Sequence, residues 1–216
     1  ALLPLRDRVP ELGLKVGPGI RYEDIPPDAH AQWVSVDGTV VEAGLWFGAL
    51  ADGPGRTALV IDGDRPAVLA TASSPDTPAA RATPGPLQRY LHEPDGAVIR
   101  AGGVAPLAAA LGAAIVSDSI AYLTSPSPVS SPFAETFEVV DHFPYSRKRL
   151  AGYLRSRGVG RLEIKKRGVD IVPDVLRKQL GLKGDGEATV VLTRLEGRHS
   201  ALIVRRTDAE RGTMDA

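Results

Sequence analysis

The 216-residue sequence contains no cysteine. Disulfides, thiolate metal sites and a cysteine nucleophile are therefore excluded, and a reducing, cytoplasmic setting is the simplest expectation. No apolar stretch approaches the roughly 20 residues that cross a bilayer, so no membrane partner is expected. The opening "ALLPLRDRVPEL" has too short an apolar run for a secretory signal, and its basic residues follow that run instead of leading it. An initiator methionine is lacking too. The single methionine is Met214, so the chain is expected to be a piece of a longer protein. Familiar catalytic patterns are missing: no G-x-S-x-G, no Walker loop and no G-x-G-x-x-G. His30, His92, His142 and His199 are scattered, with no i, i+4 pair beside a carboxylate, so no metal site is expected. Gly17-Pro18-Gly19 follows a strand-like stretch and holds a lone G-x-G, which reads better as a tight turn than as a ligand loop.

Net charge is also lacking, since 26 basic and 26 acidic residues cancel. The balance conceals an asymmetry. Residues 144 to 184 hold 12 Lys or Arg against Glu163, Asp170 and Asp174, a net of +9, and the remainder carries −9. Such segregation bears on partners, not on fold. Within it, "RLEIKKRG" (161–168) alternates Leu162 and Ile164 with charge, the pattern of a strand with one buried face. "SRKRLAGYLRSRG" (146–158) reads as a helix, with Leu150, Tyr153 and Leu154 on one side and Gly158 beyond its end. Its first turn carries Arg147, Lys148 and Arg149, where positive charge opposes the helix dipole. A helix start already hospitable to anions, with added cations, suits a phosphate. The helix expected over 170–181 makes the opposite choice, with Asp174 early and Arg177 and Lys178 late, which the dipole alone explains.

Along the rest of the chain, short apolar runs alternate with turn signals. "LGLKV" (12–16), "QWVSV" (32–36), "TVVEAGLWF" (39–47), "RTALVI" (56–61) and "PAVLAT" (66–71) read as strands, with turns at Asp37-Gly38 and Asp62-Gly63-Asp64. Residues 72–86 are Pro-, Ala- and Ser-rich, a linker or long loop. Asp95-Gly96 opens a helix through "AVIRAG", and "VAPLAAALG" (104–112) is a short helix closed by Gly112. "AIVSDSIAYLT" suggests two short strands, "ETFEVVDHF" (135–143) another, and "ATVVLTRLEGRHSALIVRR" (188–206) a hairpin turning at Glu196-Gly197.

"YLHEPDGAVIRAG", "AYLT", "LEIKKRGVDIVPDVLRKQL" and "VVLTRLEGRHSALIVRR" together resemble the C-terminal part of a bacterial family of predicted class I S-adenosylmethionine-dependent methyltransferases that ends in a THUMP-like domain. "LKVGPGI", "WVSVDGTVVEAGLWFGAL" and "RTALVI" resemble the last strands of that family's methyltransferase domain. The resemblance implies an α/β fold, with C-terminal strands of a Rossmann-like methyltransferase sheet over 1–71, a linker over 72–86, a connecting unit over 87–134, a small α/β THUMP-like domain over 135–208 and a tail over 209–216. The family's cofactor loop and its D-P-type catalytic motif have no matching positions, so no catalytic or cofactor-binding residue is carried over. S-adenosylmethionine is expected in an intact protein and not on this chain, which alone is expected to be inactive.

THUMP-type domains are associated with RNA, particularly tRNA, and the charge pattern points the same way. The residues expected to contact RNA are Arg147, Lys148, Arg149, Arg161, Lys165, Lys166 and Arg167. A different reading stays open: the basic face docks the acidic remainder of the chain, in a structural or protein-interaction module. An unpaired strand edge within residues 12 to 47 also makes a dimer conceivable.

Overall fold

The computed structural model describes residues 8–207. Its first hairpin joins β2 (His30–Val36) to β3 (Thr39–Trp46) through Asp37-Gly38, with φ at 48° and 77°. Those positive angles make a two-residue type I′ turn, which Asp-Gly adopts readily. The strands β1 (Gly13–Val16), β4 (Gly55–Asp62) and β5 (Arg65–Ala72) complete a five-stranded sheet in the order β1-β3-β2-β4-β5. Only β2 and β4 run parallel. Of the stretch expected to offer an unpaired edge, β2 and β3 are interior, and the free edge belongs to the four residues of β1.

The period of two sorts this sheet's side chains. Ala31, Trp33, Ala43, Leu45, Ala58 and Val60 form one face and are fully buried. Against them pack α1 (Gly96–Arg100) and α2 (Val104–Leu111). Asp95 caps α1 by accepting from the Ala97 amide at 2.7 Å, and the Ser35 hydroxyl of β2 donates to the same carboxylate at 2.9 Å. The cap thus fixes the helix to the sheet it covers.

The second sheet has seven strands: β6 (Tyr90–Pro94), β7 (Ala114–Ser117), β8 (Ile120–Ser125), β9 (Ala134–Pro144), β10 (Val159–Lys166), β11 (Gly186–Leu195) and β12 (Arg198–Arg206). Their order is β10-β11-β12-β9-β6-β8-β7, antiparallel except for β10 with β11. Segments 87–134 and 135–206 therefore share one sheet. Two helices cover one face, α3 (Arg147–Ser156) and α4 (Pro173–Leu180). Leu150, Leu154, Leu176 and Leu180 from these helices bury Phe143, Leu162, Ile164, Val190 and Leu192. The second helix starts at Pro173, not at Asp170, because proline's missing N–H and fixed φ suit a first helical position while the residue before it prefers extended backbone.

The other face is concave and lined by Leu91, Tyr122, Phe137, Val191, Leu202 and Val204. The sheet curls until its ends meet: a Cβ on Gly168, just past β10, would stand 2.6 Å from Ile120 Cδ1 at the start of β8. No helix among the described residues is long and apolar enough to cross a membrane.

Two features of this sheet give direct tests. A Cβ on Gly160 would lie 1.6 Å from the Gly184 carbonyl oxygen. Gly160→Ala must therefore displace the 183–186 segment, and urea melts should show a loss of about 3 kcal/mol. Gly152, exposed in mid-α3 with nothing near its Cβ position, is the control; Gly152→Ala should instead stabilise by about 0.5–1 kcal/mol through helix propensity.

The second test is pH. His92 is fully buried, with Nδ1 2.9 Å from Thr136 Oγ1 and Nε2 2.7 Å from Ser125 Oγ. Burial pushes its pKa down to about 4 from 6.5, so the ring is neutral near pH 7, while the Ser125 and Thr136 hydroxyls donate to the Ser127 and Val129 carbonyls. The unfolded chain then binds a proton more readily, and stability is lost as pH falls from 6.5 towards 4. Melts across that window should show about 3 kcal/mol of proton-linked loss, absent in His92→Gln.

Candidate nucleic-acid interface

The strand "RLEIKKRG" folds as the alternation demands. Leu162 and Ile164 enter the core beneath the helices, so Lys166 follows them onto that helical face, while Glu163 and Lys165 lie on the concave face. Of the cations in this segment only Lys166 is free among the described residues: it is exposed and has no acidic partner.

Lys165 sits inside a cage of carboxylates. Its Nζ lies 2.8 Å from Glu93 Oε2 and 3.0 Å from Glu135 Oε2, with Glu163 Oε1 at 4.0 Å. The Phe137 ring lies 5.3 Å away. Burial disfavours the ammonium, but Glu93 and Glu135 outweigh that cost and raise its pKa. The side chain is only 20 % exposed. Arg167 lies 3.7 Å from Glu93 and over the Tyr122 ring, with its Nε buried and unbonded. The Tyr122 hydroxyl donates to Glu93 at 3.3 Å, and burial first, then Glu93, raises its pKa. Arg206 holds Glu163 with both Nη atoms, at 2.8 and 2.9 Å, and also reaches Glu135. That grip, ahead of burial's opposing effect, keeps the Glu163 carboxyl below its usual range. Arg161 pairs with Glu187 at the surface. The concave face thus brings Lys165 and Arg167 together with three glutamates from β6, β9 and β10, and their charge is spent inside the molecule.

The start of α3 differs. Ser146 caps it, accepting from the Arg149 amide at 3.5 Å. Arg147 donates to the neutral Gln179 side chain at 2.9 Å, and the Arg149 guanidinium lies 4.6 Å from the Phe143 ring centre. Lys148 has no partner among the described residues, and all three are exposed. Among the described residues no carboxylate pairs with this turn. Farther along α3, Arg155 donates to the Leu180 carbonyl, closing the last turn of α4 where positive charge suits the dipole.

Register joins these cations to others. Lys166 pairs with Leu192 of β11; Arg194 is the next residue on that side, directly opposite His199 of β12. The His199 carbonyl accepts from the Tyr145 amide at 2.8 Å, one residue before the α3 cap. One end of the sheet therefore gathers Lys166 and Arg194, on the helix-covered face, with Arg147, Lys148 and Arg149, and Arg198 lies at the same end on the concave side, opposite Leu195. Among the described residues neither Arg194 nor Arg198 has an acidic partner, and Glu196 is the single acid in their hairpin segment. Charge density along the chain misses these arginines, because they fall outside the basic stretch. The signal that finds them is the Glu196-Gly197 turn, which brings residues 194 and 198 to the end of the sheet where α3 starts.

The first sheet supplies the Gly17-Pro18-Gly19 loop, and it is a tight turn. Ile20 donates to the Gly17 carbonyl at 3.1 Å, and the Trp33 indole donates to the Pro18 carbonyl at 3.0 Å. With both carbonyls occupied and only the three-residue 3-10 turn Tyr22–Asp24 behind it, this turn does not fit S-adenosylmethionine.

Residues 134–206 match the family described as THUMP domain-like. Two uncharacterized S-adenosylmethionine-dependent methyltransferases, from two strains of Mycobacterium tuberculosis, are 33% identical over 89% of this chain. The chain spans about half their length, 53%. A crystal structure of a candidate methyltransferase from Porphyromonas gingivalis shares the fold, with a TM-score of 0.74 at 19% identity, over 95% of this chain and 54% of that one. The resemblance read in the sequence thus holds for the family and for the α/β fold class.

Proposed function

We infer that the chain holds RNA for a protein that methylates it with S-adenosylmethionine. The observation that carries this reading is the cluster of six cations, Arg147, Lys148, Arg149, Lys166, Arg194 and Arg198, that share one end of the seven-stranded sheet without a carboxylate partner among the described residues. Unpaired cations beside a helix start offer phosphate contacts at no cost in broken ion pairs. The match to a THUMP-like domain supports RNA, with tRNA as the class to try first, and the names of the relatives support methyl transfer by the whole protein. In this reading residues 1–71 end a methyltransferase domain, and 135–208 form the RNA-holding unit.

A structural role is favoured for the other three basic residues of the segment by their glutamate partners. Lys165 and Arg167 shape the concave face, and Arg161 is tied to Glu187. The test is tRNA binding by charge-reversal variants. Lys166→Glu with Arg194→Glu should abolish it, and Arg161→Gln should leave it nearly unchanged.

A further inference from the structure

The helices that cover the five-stranded sheet all pack on one face. The opposite face carries His30, Gln32, Val34, Trp46, Thr57, Leu59, Ile61 and Val68, and no α-helix among the described residues lies on it. At one end of that face the 47–55 segment folds over a cavity of about 490 Å³. This volume falls within the range of small-molecule sites.

Polar groups converge on its floor. Thr57, 9% exposed, receives the Gln32 side-chain amide at 3.3 Å and lies 3.0 Å from His30 Nε2. Among the described residues the Gln32 Oε1, its second N–H and His30 Nδ1 have no partner. One wall is the Trp46 indole, which lies across two glycines: a Cβ at Gly13 or Gly44 would stand 2.8 or 2.9 Å from its ring atoms. The sheet thus gives up two side chains to seat a flat ring beside the cavity. Leu50 and Val68, on the rim, are 52% and 57% exposed.

Charge narrows the occupant. The one cation in the lining, Arg56, is turned away: its guanidinium donates to the Pro75 carbonyl at 3.1 Å and stacks on Tyr22 at 3.8 Å. Asp52 is the exposed acid in the lining. An anionic ligand would meet no countercharge and one like charge. A flat, neutral heterocycle with an amine on its edge meets an indole to stack on, the Gln32 amide to pair with and a carboxylate to accept from the amine. We propose that this cavity is a nucleobase site for an amine-bearing base such as adenine, free as a nucleoside or carried on an RNA strand. The site lies on a different sheet from the basic end and stands independently of the RNA-holding reading.

The test is proton–nitrogen correlation NMR on the 216-residue chain. It has two indole signals, and Trp33, buried with its N–H on the Pro18 carbonyl, is the internal control. Adenosine should shift the Trp46 indole signal saturably and leave Trp33 in place. Inosine, with the amine replaced by a carbonyl, should bind at least about tenfold more weakly. Gln32→Ala and, separately, the loop variant Asp52→Asn should each weaken adenosine binding. A short oligoadenylate distinguishes the sources: a tighter response than adenosine means a strand-borne base, a weaker one a free nucleoside. No Trp46 shift with either ligand up to about 10 mM, a concentration that reveals millimolar sites, overturns the proposal, as would equal shifts of both indoles or equal binding of inosine.

Discussion

Lys165→Met should lower the unfolding free energy by about 3 kcal/mol, the scale expected when one partner of a buried ion pair is removed. The reason is what it leaves behind. Glu93 and Glu135, 20% and 25% exposed, would stand side by side on the neighbouring strands β6 and β9 with their shared ammonium gone. Arg206 and Arg167 still reach these carboxylates, so the loss falls short of an isolated buried charge. Lys166→Met, one residue on and facing solvent, should change stability by no more than about 0.5 kcal/mol. Adding Glu93→Gln and Glu135→Gln to Lys165→Met should recover much of the loss, because a neutral set needs no countercharge. Equal effects at 165 and 166 in denaturant melts would refute the division of this strand into a structural and a free cation.

The second large effect concerns binding. Replacing Arg147, Lys148 and Arg149 with alanine should weaken tRNA binding by one to two orders of magnitude at about 100 mM salt. It should also reduce the dependence of log affinity on log salt by about two to three, since each phosphate contact contributes roughly 0.7–0.9 to that slope. Stability should barely change, because no acid depends on these side chains and their first-turn charge opposes the helix dipole. Fluorescence anisotropy with bulk tRNA reads the first effect, thermal melts the second. The opposite signature, lost stability with unchanged binding, would mark the α3 start as structural.

Much of this architecture was legible because it is local. Asp37-Gly38, Glu196-Gly197, Gly112 and Asp95 fix their turns and caps through backbone conformation that few other residues adopt, so the elements beside them could be placed from the chain alone. The helix begins at Pro173, three residues after the start expected at 170, because a proline within the first turn and a proline at the first position give the same sequence pattern. The alternation of Leu162 and Ile164 showed which face of β10 is buried, yet it said nothing of what the other face meets. The cage around Lys165 is assembled from Glu93, 72 residues away, and Glu135, 30 residues away. Only the curl of the sheet brings them together. The −9 balance outside the basic stretch was the available hint. Long-range register likewise hid Arg194 and Arg198, and no periodicity marks the cavity beside Trp46, which needs glycines on two different strands.

The measurement that tests the central claim most directly is a titration of the unaltered chain against bulk tRNA between about 50 and 200 mM salt. With four to six phosphate contacts at the basic end, affinity should fall by about two orders of magnitude or more across that window. Binding that ignores salt, or no binding at the lowest concentration, would contradict an RNA-holding role for this end of the sheet.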